Sequence, residues 1–446
     1  MASEWTTVTI NEIAAPHSGS IAIGPFGSRM KSDCYVADGV RVVRGTNLLE
    51  GRAFGGEFVF ISMQKAQSLG SSMLKPNDLV FPHRGSIGEV GIVPSDGRTY
   101  VMSTSLMKLT CDSSRVRPDF IYYFFRSDRG KHALLQNRSQ VGTPGIGQPL
   151  ASLKSIKLKL PPVSEQDMII SVLKAIDERI ECLQQTNLAI EAIARAIFKS
   201  WFVDFDPVRA KAEGREPQGM DAATAALFPN KFQNSELGGI PSEWSVSTIK
   251  DITSNIQYGH TTSAQAEPIG PKFLRITDIQ GGRIDWNKVP YCIASRVEHD
   301  RYKLKRHDIV VARTGASTGE NIYLPVVPDA VFASYLVRFQ FEDWTLARLV
   351  GAFMRTTAYF EHVQNALGGS AQPNANAQVL AGAKLIVPTS SLSQKYAETV
   401  APMDRKLWDN AAEANTLSTL RDTLLPRLIT GKLRVPKTEK LVEAVL

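Results

Sequence analysis

The sequence predicts an α+β chain built twice: two similar α+β domains, each followed by a long helix, with the two helices pairing as an antiparallel coiled coil about a pseudo-twofold axis. Three observations predict it. Short words recur in the same order at a nearly constant offset along the chain. Each copy opens with β-like runs and passes into a helical stretch. Each copy then closes on a heptad pattern held over five repeats.

The repetition is read first because it organises everything else. Glu4-Trp5 and the Thr-rich run behind it return as Glu243-Trp244-Ser245-Val246-Ser247-Thr248-Ile249. Val43-Arg44-Gly45-Thr46-Asn47 matches Leu274-Arg275-Ile276-Thr277-Asp278. Leu74-Lys75-Pro76-Asn77-Asp78-Leu79-Val80 matches Leu304-Lys305-Arg306-His307-Asp308-Ile309-Val310. Arg84-Gly85 and Arg313-Thr314-Gly315 follow, and Pro94 and Pro325 close the segments. The offset barely changes: 308 − 78 = 230, 325 − 94 = 231, and 364 − 136 = 228 for the Gln-Asn pairs. Two copies are too few for a solenoid, so two globular domains are expected.

Within each copy, runs of Val, Ile, Phe and Thr separated by Gly and Pro read as short strands. Helical stretches follow at Asp119 to Gln136 and at Thr345 to Gln364. A Gly-Gln-Pro loop and a last strand complete each unit, at Ile156 to Pro161 and Lys384 to Pro388.

Ile169, Ile176, Leu183, Ile190 and Ile197 then stand seven apart, widened by Val172, Leu173, Ile180 and Ile193. Their counterparts, at an offset of 396 − 169 = 227, are Tyr396, Met403, Asn410, Leu417 and Leu424, with Leu407 and Leu420 repeating Ile180 and Ile193. Heptads of this length mark helices packed along a seam. Each helix either covers its own domain or pairs with the other copy, and duplication supplies the partner. Asn410 is a polar seam residue of the kind that sets register. Some 35 helical residues rise about 50 Å, against ~34–36 Å for a turn of DNA, so such a pair has the length of a ruler.

Composition narrows the class. A hydrophobic fraction of 43% supports buried cores and rules against wholesale disorder. Net charge is +7, compatible with a polyanionic partner without demanding one. Cys34, Cys111, Cys182 and Cys292 lie far apart and, with seven scattered histidines, make neither a zinc spacing nor a disulfide framework. The polar start with Glu4 is no signal peptide, and no apolar run spans a bilayer. A soluble cytoplasmic protein without metal or membrane association is expected.

Catalytic spellings are missing too. No Asn-Pro-Pro-Tyr or Asp-Pro-Pro-Tyr appears, Asp206-Pro207-Val208 being the nearest approach. There is no phosphate-cradling glycine loop, since Gly145-Ile146-Gly147 is too short. Asp404-Arg405-Lys406 spells a metal-nuclease fragment but lies in the second heptad helix, where it reads as surface charge.

The first heptad helix runs into Phe198-Lys199-Ser200-Trp201-Phe202-Val203-Asp204-Phe205-Asp206-Pro207, a helix end anchored by aromatics and stopped by proline. This junction closely resembles that of type I restriction-modification DNA-specificity subunits. Ala210-Lys211-Ala212-Glu213-Gly214-Arg215, Ala225-Ala226-Leu227-Phe228-Pro229, Ser235-Glu236-Leu237-Gly238 and Ile240-Pro241 continue the resemblance. So does Gly24-Pro25-Phe26-Gly27-Ser28, with Tyr35 and the Arg44-Gly45-Thr46-Asn47 turn behind it. The likeness spans the chain, tightest at the junction and looser in the domains.

The resemblance implies target-recognition domains at 1–163 and 241–392, conserved helices at 164–205 and 393–446, and an inter-domain connector at 206–240. It implies a non-catalytic subunit that reads double-stranded DNA at a bipartite target with an unread spacer. The implied partners are two modification (methyltransferase) subunits and, through them, restriction/translocase subunits, in a system for DNA methylation and phage defence. This chain would bind no cofactor; S-adenosylmethionine, ATP and Mg would belong to those partners.

The binding equipment is in loops. Gln140-Val141-Gly142-Thr143-Pro144-Gly145-Ile146-Gly147-Gln148-Pro149 corresponds to Gly368-Gly369-Ser370-Ala371-Gln372-Pro373-Asn374, with a shorter offset (372 − 148 = 224) that gives the copies different loop lengths. Thr143, Gln148, Ser370, Gln372 and Asn374 are candidate DNA contacts, unless the segments are plain turns. Arg44, Arg84, Arg275 and Arg313 sit in turns of corresponding segments, where arginine either pairs bidentately with guanine or holds phosphate. Asn47, Ser86, Ser317 and Thr318 complete the candidates. Two rival readings are an enzyme with an unfamiliar site and a scaffold that binds only proteins.

Overall fold

A computed structural model describes residues 5–48, 52, 54–138, 144–368 and 374–435, the side chain of Ser28 excepted. The chain forms two compact units, residues 1–181 with 416–446 and residues 182–415. Among the described residues no helix is long and apolar enough to cross a membrane.

The first unit is centred on a four-stranded antiparallel sheet in the order Ile21–Ile23, Leu106–Leu109, Leu79–Pro82, Gly91–Ile92. Leu79–Pro82 and Leu106–Leu109 are buried at every position, which is why they read as continuous apolar runs rather than alternating ones. A five-stranded sheet lies beside it, in the order Tyr35–Val36, Val59–Ile61, Val40–Val43, Tyr100–Met102, Met73–Leu74. Its one parallel pair joins Val40–Val43 to Tyr100–Met102. Strand Thr6–Thr9 pairs with Lys157–Leu160 to close the domain.

The second unit repeats this pattern on its own residues. Its sheet runs Asn255–Tyr258, Leu336–Gln340, Ile309–Ala312, Asn321–Tyr323, again antiparallel. Lys272–Leu274 and Ala330–Phe332 reproduce the parallel pair, and Ser245–Thr248 pairs with Lys384–Val387. Both closing strands lead into a capping box, Thr9 with Glu12 and Thr248 with Asp251.

The Leu-Lys-x-x-Asp words acquire a physical meaning here. Asn77 and His307, at φ 69° and 73°, turn the chain in the left-handed region. The next residue's carboxylate then accepts the backbone N–H three back, Lys75 to Asp78 and Lys305 to Asp308, each at 2.9 Å. Both carboxylates are buried and face a buried cation on the neighbouring strand, Lys108 at 3.3 Å and Arg338 at 3.6 Å. Lys108 also donates to the Met73 carbonyl at 2.8 Å and Arg338 to that of Lys303 at 2.7 Å. Thr110 and Gln340 donate to the remaining carboxylate oxygens at 2.5 and 3.1 Å. Every member of one network stands at the same offset from its counterpart, since 308 − 78, 338 − 108, 340 − 110 and 303 − 73 all equal 230.

The helical stretches are broken, not continuous as expected. Pro118–Arg126 ends at Ser127, whose hydroxyl caps Asp128–Leu135, and Trp344–Phe353 is followed by Thr357–Leu367. The break lets Phe120 to Phe125 bury as one block, with Phe81 and Phe125 edge to face at 4.8 Å.

The two long helices, Val163–Phe202 and Ser390–Ile429, pack together antiparallel. Within the first unit Asp177 meets Arg421 at 2.9 Å, and within the second Asn187 accepts from Asn410 at 2.8 Å. Ile169, Ile176 and Leu183 are buried, as are Asn410, Leu417 and Leu424, whereas Ile190, Ile197 and Met403 are half-buried. Ile193 departs from the expected stripe. It is 51% exposed, whereas Ala194 and Phe198 beside it are buried.

Each helix also carries an acid for its own domain. Asp177 accepts from the Tyr123 hydroxyl at 2.8 Å. Asp404, at the helix offset of 404 − 177 = 227, holds Arg348 at 2.6 and 3.1 Å. Asp404 is therefore not surface charge: its side chain is only 12% exposed, and Arg348, which also faces Tyr323 and Tyr396, is what makes that partial burial tolerable.

The first long helix stops at Phe202, and Phe205 takes a left-handed φ of 57° before Pro207 starts a short helix. Trp201, Phe202, Phe205, Trp244 and Tyr396 form one aromatic cluster. The segment read as a connector contributes Val208, Phe228 and Ile240 to that core and carries a helix, Asp206–Ala212, and a hairpin, Phe232–Ser235 with Gly238–Pro241. In the first unit Trp5 plays the part of Trp244. It donates to Glu165 at 3.1 Å and lies under Arg434, which also pairs with Glu165.

Removing one member of a buried pair leaves a charge without compensation. Asp308→Ala is expected to destabilise the second unit by about 3–5 kcal/mol, measured by denaturant unfolding, with Asp78→Ala doing the same in the first.

Candidate nucleic-acid interface

At one end of each four-stranded sheet three segments converge, and their backbone geometry is the same in both domains. In the first, Gly24 N–H donates to Leu106 O at 2.7 Å and His83 N–H to Ser105 O at 2.9 Å. Ile146 N–H donates to His83 O at 2.9 Å, and Arg84 bridges Gly145. In the second, Gly259 N–H donates to Leu336 O at 3.3 Å and Arg313 N–H to Tyr335 O at 3.0 Å. Ala375 N–H donates to Arg313 O at 2.8 Å, and Thr314 bridges Asn374. Glycine is required where the first segment leaves the sheet. A Cβ would sit 1.9 Å from Ser103 O at Gly24 and 2.2 Å from Ala333 O at Gly259.

This register corrects the pairing of the arginines. Arg313 stands where the first domain has His83, and Arg84 matches Thr314. The side chains at the shared position make equivalent bonds: the His83 Nε2 ring nitrogen lies 3.1 Å from Thr104 O, and Arg313 Nε donates to Ser334 O at 3.2 Å. His83 is buried, which holds its imidazole below the usual histidine range, with the Arg84 charge adding to the effect. Arg313 is half-buried, its guanidinium 5.1 Å over the Tyr258 ring.

The Arg44 turn adjoins this end of the first domain, where Ser103 N–H donates to Val43 O and a side chain at Gly45 would touch Ser86 Oγ at 3.5 Å. The matching contact in the second domain is Ala333 N–H to Leu274 O, beside Arg275. The turns themselves use up several of the expected contacts. Asn47 is buried; it accepts from Arg44 N–H and donates to the Gly55 and Glu57 carbonyls, so it holds the turn and offers no base contact. Arg275 is paired through two nitrogens to Asp278 at 2.9 Å, its charge neutralised on the spot. Thr318 is buried, its hydroxyl donating to Gly315 O. Arg44 donates to Glu57 O and remains half-buried.

Arg84, Gln148 and Asn374 are exposed, while Ser86, Ser317 and Arg313 are half-buried. Thr143, Ser370 and Gln372 lie outside the described residues. Three exposed aromatics were not among the expected contacts: Phe26, 77% exposed, in the Gly24-Pro25-Phe26 word, and Tyr258 and Tyr335 at the second domain's sheet end. Tyr258 stands immediately before the obligatory glycine, and that adjacency was the available signal. Among the described residues no cluster of acids, histidines or cysteines is placed to hold a metal.

The model of the type I restriction modification DNA specificity domain matches residues 3–192. The specificity subunit of the HindI type I enzyme from Haemophilus influenzae is 23% identical over 419 residues, 81% of this chain and 87% of that protein. The MjaVIII specificity subunit from Methanocaldococcus jannaschii is 23% identical over 373 residues, covering 81% and 80%. Over residues 3–192 the chain is similar to the type I restriction-modification DNA specificity domain, and over most of its length to those specificity subunits. The fold agrees. A type I S subunit from M. genitalium superposes with a TM-score of 0.59 at 16% identity, covering 96% of each chain. The sheet end of the first domain thus lies within the segment that the DNA specificity domain model matches.

His83 gives this end of the first domain a pH dependence. Its folded pKa is depressed, so its contribution is complete above the unfolded value of about 6.5 and is lost as pH falls through the folded value. Thermal melts of wild type and His83→Gln between roughly pH 7.5 and 5 should converge in acid, the variant losing less stability.

Proposed function

We propose that this specificity subunit reads a split DNA target, one half with each sheet end, and leaves an unread gap between the halves. The observation that carries this is the same three-segment geometry built twice and furnished with different side chains. A protein that gripped only phosphates would gain nothing from diversifying those positions, because phosphate contacts hold the duplex without reading it. Exposed glycines, amides and arginines at a sheet end suit base edges in the major groove.

The paired helices set the separation and dock two modification subunits, through which restriction subunits join. Methyl transfer to an extruded adenine, with S-adenosylmethionine, and translocation and cleavage with ATP and Mg belong to those partners. This chain acts as a non-catalytic adaptor on intracellular double-stranded DNA. Arg84, Gln148 and Asn374, which are exposed, and Arg44, Ser86, Arg313 and Ser317, which are half-buried, are the candidate contacts of this reading.

Exchanging residues 1–163 for the same region of a homologue should change one half-site and leave the other intact, read by methylation mapping. A change in both would refute separate reading. Inserting one heptad near Leu183 should lengthen the unread gap by about three base pairs, since seven residues rise about 10.5 Å and base pairs are ~3.4 Å apart. Mapped sites with an unaltered gap would remove the ruler.

A further inference from the structure

At the position shared by His83 and Arg313 the two domains differ in chemistry while their backbone bonds match. We propose that Arg313 recognises a guanine in the major groove through its two terminal Nη groups, and that the first domain has no such reader at this position. The inference rests on the second domain being a DNA reader and names the base that it reads.

Three features prepare Arg313 for the task. Its Nε is committed to Ser334 O at 3.2 Å, which orients the guanidinium and leaves the Nη pair for a ligand. The Tyr258 ring lies under the cation at 5.1 Å and is itself anchored, its hydroxyl accepting Ala377 N–H at 2.9 Å. Among the described residues no carboxylate pairs with Arg313, unlike Arg275, which Asp278 neutralises a short distance along the same domain. A fork held from behind, stacked on an aromatic and without an acid suits the two acceptors that guanine presents, O6 and N7. Holding the side chain in advance reduces the rotamer entropy lost on binding.

The surroundings place it at a contact surface. Thr314, the next residue, bridges exposed Asn374, and the carbonyl that accepts Arg313 N–H belongs to Tyr335, 55% exposed. Gly315, with φ 74°, turns the chain directly afterwards. In the first domain the same backbone presents a buried His83 whose ring turns inward to Thr104 O. Arg84, the exposed cation there, lies one residue further on, and no aromatic platform among the described residues lies under it.

Lysine keeps the charge for a phosphate but not the planar fork, so Arg313→Lys separates the two uses of arginine. The test reconstitutes the full chain with its modification subunits and measures binding to duplexes randomised across both half-sites. Wild type should require a G·C pair at one position of one half-site. Arg313→Lys should bind within a few-fold of wild type while losing about tenfold or more of the preference at that position alone. Tyr258→Leu, which removes the platform, should weaken the same position. Equal thermal melting of the variants keeps misfolding out of the comparison.

Unchanged selectivity in Arg313→Lys, or a half-site pair with no required G·C, would overturn the guanine assignment and leave the specificity reading standing. A wild-type complex indifferent to sequence would instead sink the underlying reading, and this inference with it.

Discussion

A buried acid facing a buried cation across two neighbouring strands is the contact on which each domain depends. Asp78 with Lys108, and Asp308 with Arg338, do more than neutralise charge. The carboxylate ties down the turn that starts one central strand, while the cation reaches from the next strand to a third segment's carbonyl. Buried ion pairs contribute little net stability compared with apolar packing, but breaking one is costly. The network therefore acts chiefly on register. A slip by one residue would turn the acid away from its cation and strand both. The far ends of these strands are where the three converging segments meet the sheet, so the clamp fixes the geometry from which those loops start.

The long helices extend the same logic. Asp177 and Asp404 each sit on a helix yet serve the domain packed against it, through Tyr123 in one case and Arg348 in the other. A helix held by a buried polar contact to its own domain cannot rotate about its axis without losing that contact. Its other face, lined by Ile169, Ile176 and Leu417 or by Asn187 and Asn410, is thereby aimed at the partner helix. Asn410 carries a second cost, one buried oxygen without a partner, as expected of a polar seam residue that favours one register over its neighbours. Trp5 with Arg434 and Trp244 with Phe205 then close the helix ends by different chemistry in equivalent places.

Duplication and divergence occupy different layers of the molecule. Strand pairings, turn carbonyls and the acid–cation networks are preserved at a constant offset, because each is a backbone constraint satisfied by few side chains. Positions at the sheet end carry no such constraint. There His83 and Arg313 share their backbone bonds and differ in everything that a ligand would meet. The proposed reading of two half-sites fits this division: an invariant frame that delivers side chains to a fixed place, and freedom over which side chains those are.

Much of this was legible in the residues themselves. The repeat order, the heptads and the α+β class followed from spacing, because period and offset are properties of the chain before it folds. The Leu-Lys-x-x-Asp word was visible as a repeat. Its partners Lys108 and Arg338 were not, since nothing local links an acid to a cation on a strand reached only after a long excursion of the chain. Arg84 and Arg313 looked equivalent in the sequence; strand register, which depends on hydrogen bonds between segments far apart in the chain, set them one residue out of step. Burial decided the remaining cases. Asn47 and Thr318 have the composition of base readers, Asp404 that of surface charge, and Ile193 that of a seam residue. Each changed its role once folding determined which neighbours, rather than water, it would face. The sequence determined that the protein is made twice and carries two matched heptad helices, and tertiary packing alone decided which polar side chains at the sheet ends stay exposed.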